Sequence, residues 1–184
     1  IHEVEEGKEY ALLMSTNAGS WRYLIGDTIK FVDLANNEVV ITGRTKHFLS
    51  LTGEHLSVEN MNRAIQLVSE ELNISIPEYT VVGFPYENFF AHRWYVATND
   101  AVDAKKLGKR IDEILRMLND DYATERDSAL KEVFLEALPE EKFKQFMELK
   151  GKLGGQHKFP RVMKGKVLEE WKRFLETGIR KLLP

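Results

Sequence analysis

Polar and apolar positions change their period partway along this 184-residue chain. Up to about residue 44 the apolar residues alternate or run in short blocks between turn formers, which is the signature of strands. Residues 9–15 (Glu-Tyr-Ala-Leu-Leu-Met-Ser) predict a strand after the turn Glu6-Gly7-Lys8, and Asn17-Ala18-Gly19-Ser20 predicts a second turn. Trp21 to Leu24 and Thr28 to Asp33 read as strands interrupted at Gly26-Asp27. Asn36-Asn37 is a hairpin signal ahead of the β-branched run Glu38 to Thr42. The first 44 residues therefore predict one rim of a sheet or barrel whose other strands lie upstream.

From Ser57 a helical period takes over. Met61, Ile65, Val68 and Leu72 share one face, with Ser57 as N-cap and Glu59 in the first turn. Tyr79 to Phe84 predicts a short strand stopped by Pro85, and His92 to Thr98 its partner. Leu107, Ile111, Ile114, Leu115 and Leu118 mark a second amphipathic helix despite Gly108. The polar stretch Asn119 to Ser128 extends or caps that helix. Lys131 to Leu138 predicts a third strand, and Pro139 at the first helical position opens a helix with Phe143, Phe146 and Met147 inward. Lys150 to Lys166 is Gly-rich and irregular; Val167, Trp171, Phe174, Leu175 and Ile179 mark a last helix. The expected class is α+β: a β-rich remnant over residues 1–45, then a small α+β domain over 46–184.

Composition narrows the function classes. Apolar residues make up 43% and charged residues 30%, so the chain is globular. A net charge of −3 argues against a dedicated nucleic-acid binder. There is no cysteine, hence no disulfide framework and no thiolate nucleophile, which is compatible with a cytoplasmic setting. No apolar run approaches the roughly 18 residues of a membrane span, and no signal peptide is evident. The chain starts at Ile1 with a charged strand-like segment under way, so the expectation is a fragment of a longer protein.

Two places can carry chemistry. Asp27, a short carboxylate after Gly26, can accept two hydroxyl hydrogens from a vicinal diol; read alone, it is more simply a turn residue bonding its own backbone. Trp21 and Tyr23 lie on the same side of a regular strand and can stack on a purine, although strand aromatics usually serve packing. Arg22 and Arg44 can meet a phosphate or form surface ion pairs. The second place is the Lys150–Lys166 loop, with Lys150, Lys152, Lys158, Arg161, Lys164 and Lys166, four glycines and no acid. A lysine on a mobile loop can stabilise charge developing in a transition state; the plainer reading is a solvated basic loop. The loop is no phosphate-cradling P-loop, because Val167 follows Gly165-Lys166. The five histidines show no metal-ligand spacing, and no nucleophile-elbow motif occurs.

Three segments together carry a resemblance. Gly19-Ser-Trp-Arg-Tyr-Leu-Ile-Gly-Asp27, Asn119-Asp-Asp-Tyr122 through Arg126, and Phe143 onward to Gly155-Gln-His-Lys-Phe-Pro-Arg161 are similar to motifs of the auxin-responsive Gretchen Hagen family of acyl-acid-amido synthetases. The last segment is the most specific. That family belongs to the adenylate-forming superfamily. Leu24 stands where the plant-type motif has Arg, and His157 where it has Tyr, which leaves the acid and the amine open.

The resemblance implies a two-step ligase: a carboxylic acid and ATP give an acyl-adenylate, which an amino acid then attacks. It implies that Asp27 holds the ribose hydroxyls, that Tyr23 lines the nucleotide site and that Arg44 belongs to it. Thr45 and Lys46 would form the hinge, and Lys158 would be the lysine brought to the α-phosphate by rotation of a C-terminal lid. ATP and Mg2+ are the implied cofactors, with carboxylic and amino acid substrates, and neither nucleic acid nor membrane as partner. The phosphate loop and acyl pocket would lie upstream, so this piece alone should not adenylate anything. Two rival readings are a thioester-forming relative using coenzyme A and a non-catalytic interaction domain.

Overall fold

The change of period in the sequence is a change of architecture. The computed structural model describes residues 3–19, 21–44, 49, 54–151 and 158–177. Two compact units emerge, Ile1–Phe48 with Ser57–Glu59 and Leu49–Leu56 with Asn60–Pro184. The class is α+β, as expected. Among the described residues no helix is long and apolar enough to cross a membrane.

The first unit is an antiparallel sheet of β1 (Glu9–Met14), β2 (Tyr23–Asp33) and β3 (Glu38–Arg44), in that spatial order. The β2–β3 turn is built as the Asn-Asn signal suggests. The Asp33 carboxylate accepts the Asn36 backbone N–H at 2.9 Å and its side-chain amide at 2.8 Å, and Asn37 takes φ 56°, which asparagine tolerates. Those bonds, the backbone one first, hold the Asp33 carboxyl below its usual range.

Two details differ from expectation. Gly26-Asp27 does not divide two strands: β2 is continuous, and the irregularity is a bulge. Thr28 pairs with Ala11 but Leu24 pairs with Leu13, so residues 25–27 stand opposite Leu12 alone. Nor does strand alternation extend back to Trp21. Arg22 has φ 47°, Trp21 precedes β2, and the shared side predicted for Trp21 and Tyr23 therefore loses its basis.

No fully buried apolar side chain among the described residues precedes Leu49. Leu13, Ile25, Val32, Val39 and Ile41 are all exposed, Ile41 by 73%. Three strands with open apolar faces bury too little to hold themselves together, which is the condition of a sheet that completes its burial elsewhere.

The second unit holds the core. Its sheet runs β4 (Tyr79–Tyr86), β5 (Phe89–Ala97), β6 (Leu130–Leu138) in spatial order. β4 and β5 form an antiparallel hairpin; β5 and β6 are parallel, joined through α2 (Ala104–Leu118) and α3 (Asp120–Asp127). Around the sheet lie α1 (Val58–Leu72), α4 (Glu140–Leu149) and α5 (Gly165–Thr177). The central strand β5 is buried over most of its length, as a strand covered on both faces must be. Tyr95 and Ala97 join Phe143, Phe146, Phe159, Met163, Trp171 and Phe174 in one aromatic cluster. Trp94 and Val96, out of phase by one residue, belong to the opposite face, where Trp94 stacks on Tyr79 with ring centroids 5.6 Å apart.

Several local expectations change. β4 runs through Pro85 to Tyr86, with Pro85 opposite Phe90. A proline is tolerated there because no second described strand needs its missing N–H. Asn119 to Ser128 forms a separate helix, with Asn119 serving both ends of the junction: its backbone N–H closes α2 on Leu115, and its side chain accepts the Tyr122 N–H at the start of α3. Pro139 is the N-cap of α4 rather than its first helical residue. α5 begins at Gly165, two residues early, and Leu72 and Val167, assigned to inner faces, are 46% and 37% exposed. Ile179 lies outside the described residues.

Gly108 also has a reason. A Cβ there would sit 3.0 Å from the Leu135 Cβ on β6, so glycine lets α2 approach the sheet. Gly108→Val is expected to destabilise the protein by about 1–3 kcal/mol, the usual range for overpacking. Gly108→Ala is expected to cost less. Urea unfolding followed by far-UV circular dichroism reads both, and an unchanged midpoint for the valine variant would refute the close approach.

Candidate functional site

Each unit contributes one candidate, and each is built by different forces. In the first unit, Asp27 lies at the β2 bulge. It is half-buried and is the cross-strand partner of Arg44 in β3. The ladder is irregular on this side too: Thr28 pairs with Gly43 while Ile29 pairs with Ile41. A bulge turns a strand and re-aims its side chains, which is how a sheet presents a carboxylate at its rim. Tyr23 starts β2, opposite Met14, and is 55% exposed. The sheet thus brings Asp27 and the Arg44 backbone into register, with Tyr23 at the start of the same strand. Thr45 and Lys46, the expected hinge, lie outside the described residues.

In the second unit the candidate is Lys158. Its side chain is exposed, and its neighbour Phe159 is 4% exposed within the aromatic cluster. Phe159 meets Phe143 at 4.7 Å, Trp171 at 5.4 Å and Phe146 at 6.1 Å between ring centroids. The chain then runs along the free edge of β4. The Val81 N–H donates to the Arg161 carbonyl at 2.9 Å, and the Met163 N–H donates to the Val81 carbonyl at 3.0 Å. Val162 makes a parallel bridge to Val81. The basic segment is therefore partly docked rather than a loop throughout. The positions 152–157, with Gly155, Gln156 and His157, lie outside the described residues.

The charges of this segment divide into two groups. Lys150 pairs with Glu170 across α4 and α5, and its hydrogen bond is the first cause that holds the Glu170 carboxyl below its usual range. Arg161 pairs with Glu78, donates to the Tyr79 carbonyl at 3.2 Å and lies 4.4 Å from the centre of the Tyr79 ring. Lys158, Lys164 and Lys166 remain exposed. Beside Arg161 opens a cleft of about 400 Å³ between α1 and β4, lined by Asn62, Gln66, Ser69, Ser75 and Tyr79 among others.

The Asn119–Arg126 segment is a structural brace. The Tyr122 hydroxyl donates to Asp112 Oδ1 at 2.6 Å, and Arg126 forks onto both oxygens of the same carboxylate at 2.8 and 3.0 Å. Arg126 also reaches the Leu130 carbonyl, which ties α3 to the first residue of β6. Burial, with Asp112 adding to it, pushes the Tyr122 phenol well up.

Sequence reasoning missed one feature. Glu54 and His92 are both fully buried, with Oε1 and Nε2 3.0 Å apart, and the His92 ring lies 6.0 Å from that of Tyr122. Thirty-eight residues separate the pair, and no periodicity or motif signals it. Among the described residues no group of three or more His, Asp or Glu can hold a metal ion.

Two family models match the chain. The GH3 family central domain matches residues 1–43, and the GH3 family C-terminal domain matches residues 59–167. In structure the chain is similar to a GH3.15 acyl acid amido synthetase, at TM-score 0.69 and 17% identity, over 93% of this chain and 33% of that one. It is similar also to the AtGH3.15 acyl acid amido synthetase in complex with 2,4-DB, at TM-score 0.66 and 18% identity, with the same coverage. The chain spans about a third of the length of these relatives, and at such identities the likeness is one of fold. No curated protein matches it in sequence.

Removing one partner of the Asp112–Arg126 pair, each side chain 13% exposed, leaves a largely buried charge uncompensated. Arg126→Ala is expected to cost about 3 kcal/mol, against less than about 1 kcal/mol for the exposed Lys172→Ala. Equilibrium urea denaturation of both variants checks the contrast, and equal losses would remove the brace.

Proposed function

This chain belongs to the GH3 family, and from that premise we propose that it is the C-terminal part of an ATP-dependent ligase joining a carboxylic acid to an amino acid. The observation that carries the reading is the C-terminal family match over residues 59–167, which spans both the Asn119–Arg126 brace and the docked Lys158 segment. In the first step a carboxylate oxygen attacks the α-phosphorus of ATP and pyrophosphate leaves. In the second the amine attacks the acyl carbonyl, the amide forms and AMP leaves.

The residues take the following roles. Asp27 accepts hydrogen bonds from the two ribose hydroxyls; a carboxylate has the acceptor capacity for both. Tyr23, exposed on the same strand, lines the nucleotide site, and Arg44, cross-strand to Asp27, belongs to it. The boundary between the large domain and the lid falls at residues 45 and 46, with Thr45 and Lys46 at the pivot. Lys158 is the cation that meets the α-phosphate, where a fixed positive charge offsets the charge growing on the phosphoryl oxygens. Its attachment to a buried phenylalanine suits that task, since a cation held at one point costs little reorganisation when it acts. Mg2+ accompanies ATP in this reading, but no described residue group fits it and no step is assigned to it. The setting is cytoplasmic.

The test is pyrophosphate exchange by the full-length protein with panels of carboxylic acids, followed by amide formation with panels of amino acids. Asp27→Ala is expected to abolish exchange. Lys158→Ala is expected to lower its rate by about 10²–10³-fold, the range for removing one preorganised electrostatic contact. Exchange at the wild-type rate in both variants would overturn the assignment. Product formation with coenzyme A but with no amine would replace the amide by a thioester.

A further inference from the structure

Resting on the ligase reading, we propose that Arg161 is a positioning residue for Lys158. It acts by locking the segment 158–163 in register on the edge of β4. Lys158 belongs to no helix or strand. What fixes it is the short run that follows. Phe159 sets the depth of that run by inserting into the aromatic cluster. Two backbone bonds to Val81 join it to the sheet. A single bridge of this kind leaves the run able to shift along the strand or peel away.

Arg161 removes that freedom from three directions. Its guanidinium donates to the Glu78 carboxylate and to the Tyr79 carbonyl at 3.2 Å, and it stacks 4.4 Å over the centre of the Tyr79 ring. Tyr79 is itself held, its hydroxyl donating to Asn62 Oδ1 on α1 at 2.7 Å. The chain of contacts thus runs from α1 through Tyr79 and Arg161 to the backbone that presents Lys158. A planar fork that both pairs and stacks is specific to arginine; lysine cannot reproduce it.

The positioning role makes a kinetic claim that a purely structural role does not. A reacting group misplaced by about 1 Å can cost about 10²-fold in rate. Arg161→Gln in the full-length protein is therefore expected to lower kcat for pyrophosphate exchange by about 30–100-fold, with KM for ATP within about twofold of wild type. Arg161→Lys is expected to recover little of the loss. Glu78→Gln, which leaves the guanidinium on Tyr79, is expected to show a smaller loss of the same kind and serves where Arg161→Gln unfolds. In a Lys158→Ala background Arg161→Gln is expected to cost nothing further, because there is no cation left to position.

Urea denaturation of each variant monitors the fold. No acid-dependent exchange in the wild-type full-length protein overturns the ligase reading itself, and wild-type exchange in Lys158→Ala overturns the role of Lys158 and with it the positioning role. Impaired Lys158→Ala with wild-type exchange in Arg161→Gln overturns the positioning role alone. So does a loss that multiplies undiminished in the double variant, or one carried by KM with kcat unchanged.

Discussion

The second unit depends on the burial of Trp171. Its ring is fully enclosed and lies 5.0–5.8 Å, centre to centre, from Phe146, Phe143, Phe159, Phe174 and Tyr95. Those five rings come from α4, α5, β5 and the segment after residue 157. One side chain of α5 therefore joins that helix to α4, to the segment after residue 157 and to the sequence-distant β5. Tilted and edge-on ring pairs of this sort add about 0.5–1.5 kcal/mol each beyond area burial. Phe159 is one of the five, so the backbone presenting Lys158 is anchored by the same cluster that holds the helices.

Charge is used in two distinct ways around that core. Exposed pairs such as Lys172–Glu169 and Lys8–Glu5 contribute little, being screened by water. The pairs that constrain the fold are sheltered and reach across elements: Arg126 with Asp112, Arg161 with Glu78, and the fully buried Glu54 with His92. Each joins parts that apolar contacts alone could let slide. A sheltered pair adds little net stability, but breaking it is costly, so it serves to select one arrangement among several.

The two units differ in how complete they are. Among the described residues the sheet of β1–β3 buries no apolar side chain fully, while the second unit has a core on both faces of its sheet. The chain also spans about a third of its GH3 relatives. The first unit therefore leaves its apolar faces open, whereas the second is built around a full core. The two candidate chemistries follow the same division, since a carboxylate at a sheet bulge and a lysine beside a buried aromatic are held by unrelated means.

The sequence by itself determined the class and order of elements. Period 2 before residue 44 and period 3.6 from Ser57 reflect which side chains must face apolar surroundings, and that requirement is local. It also pointed to Asp27, Lys158 and the Asn119–Arg126 segment, because motif spacing lies along the chain. Tertiary structure alone decided the rest. It made Gly26-Asp27 a bulge within one strand, because register depends on what β1 and β3 offer opposite. It turned Asn119–Arg126 into a brace on Asp112 and docked the 158–163 run on β4. It also closed Glu54 onto His92 over thirty-eight residues of separation. Pairings of that kind are set by the three-dimensional meeting of distant segments, and no window along the chain contains both partners.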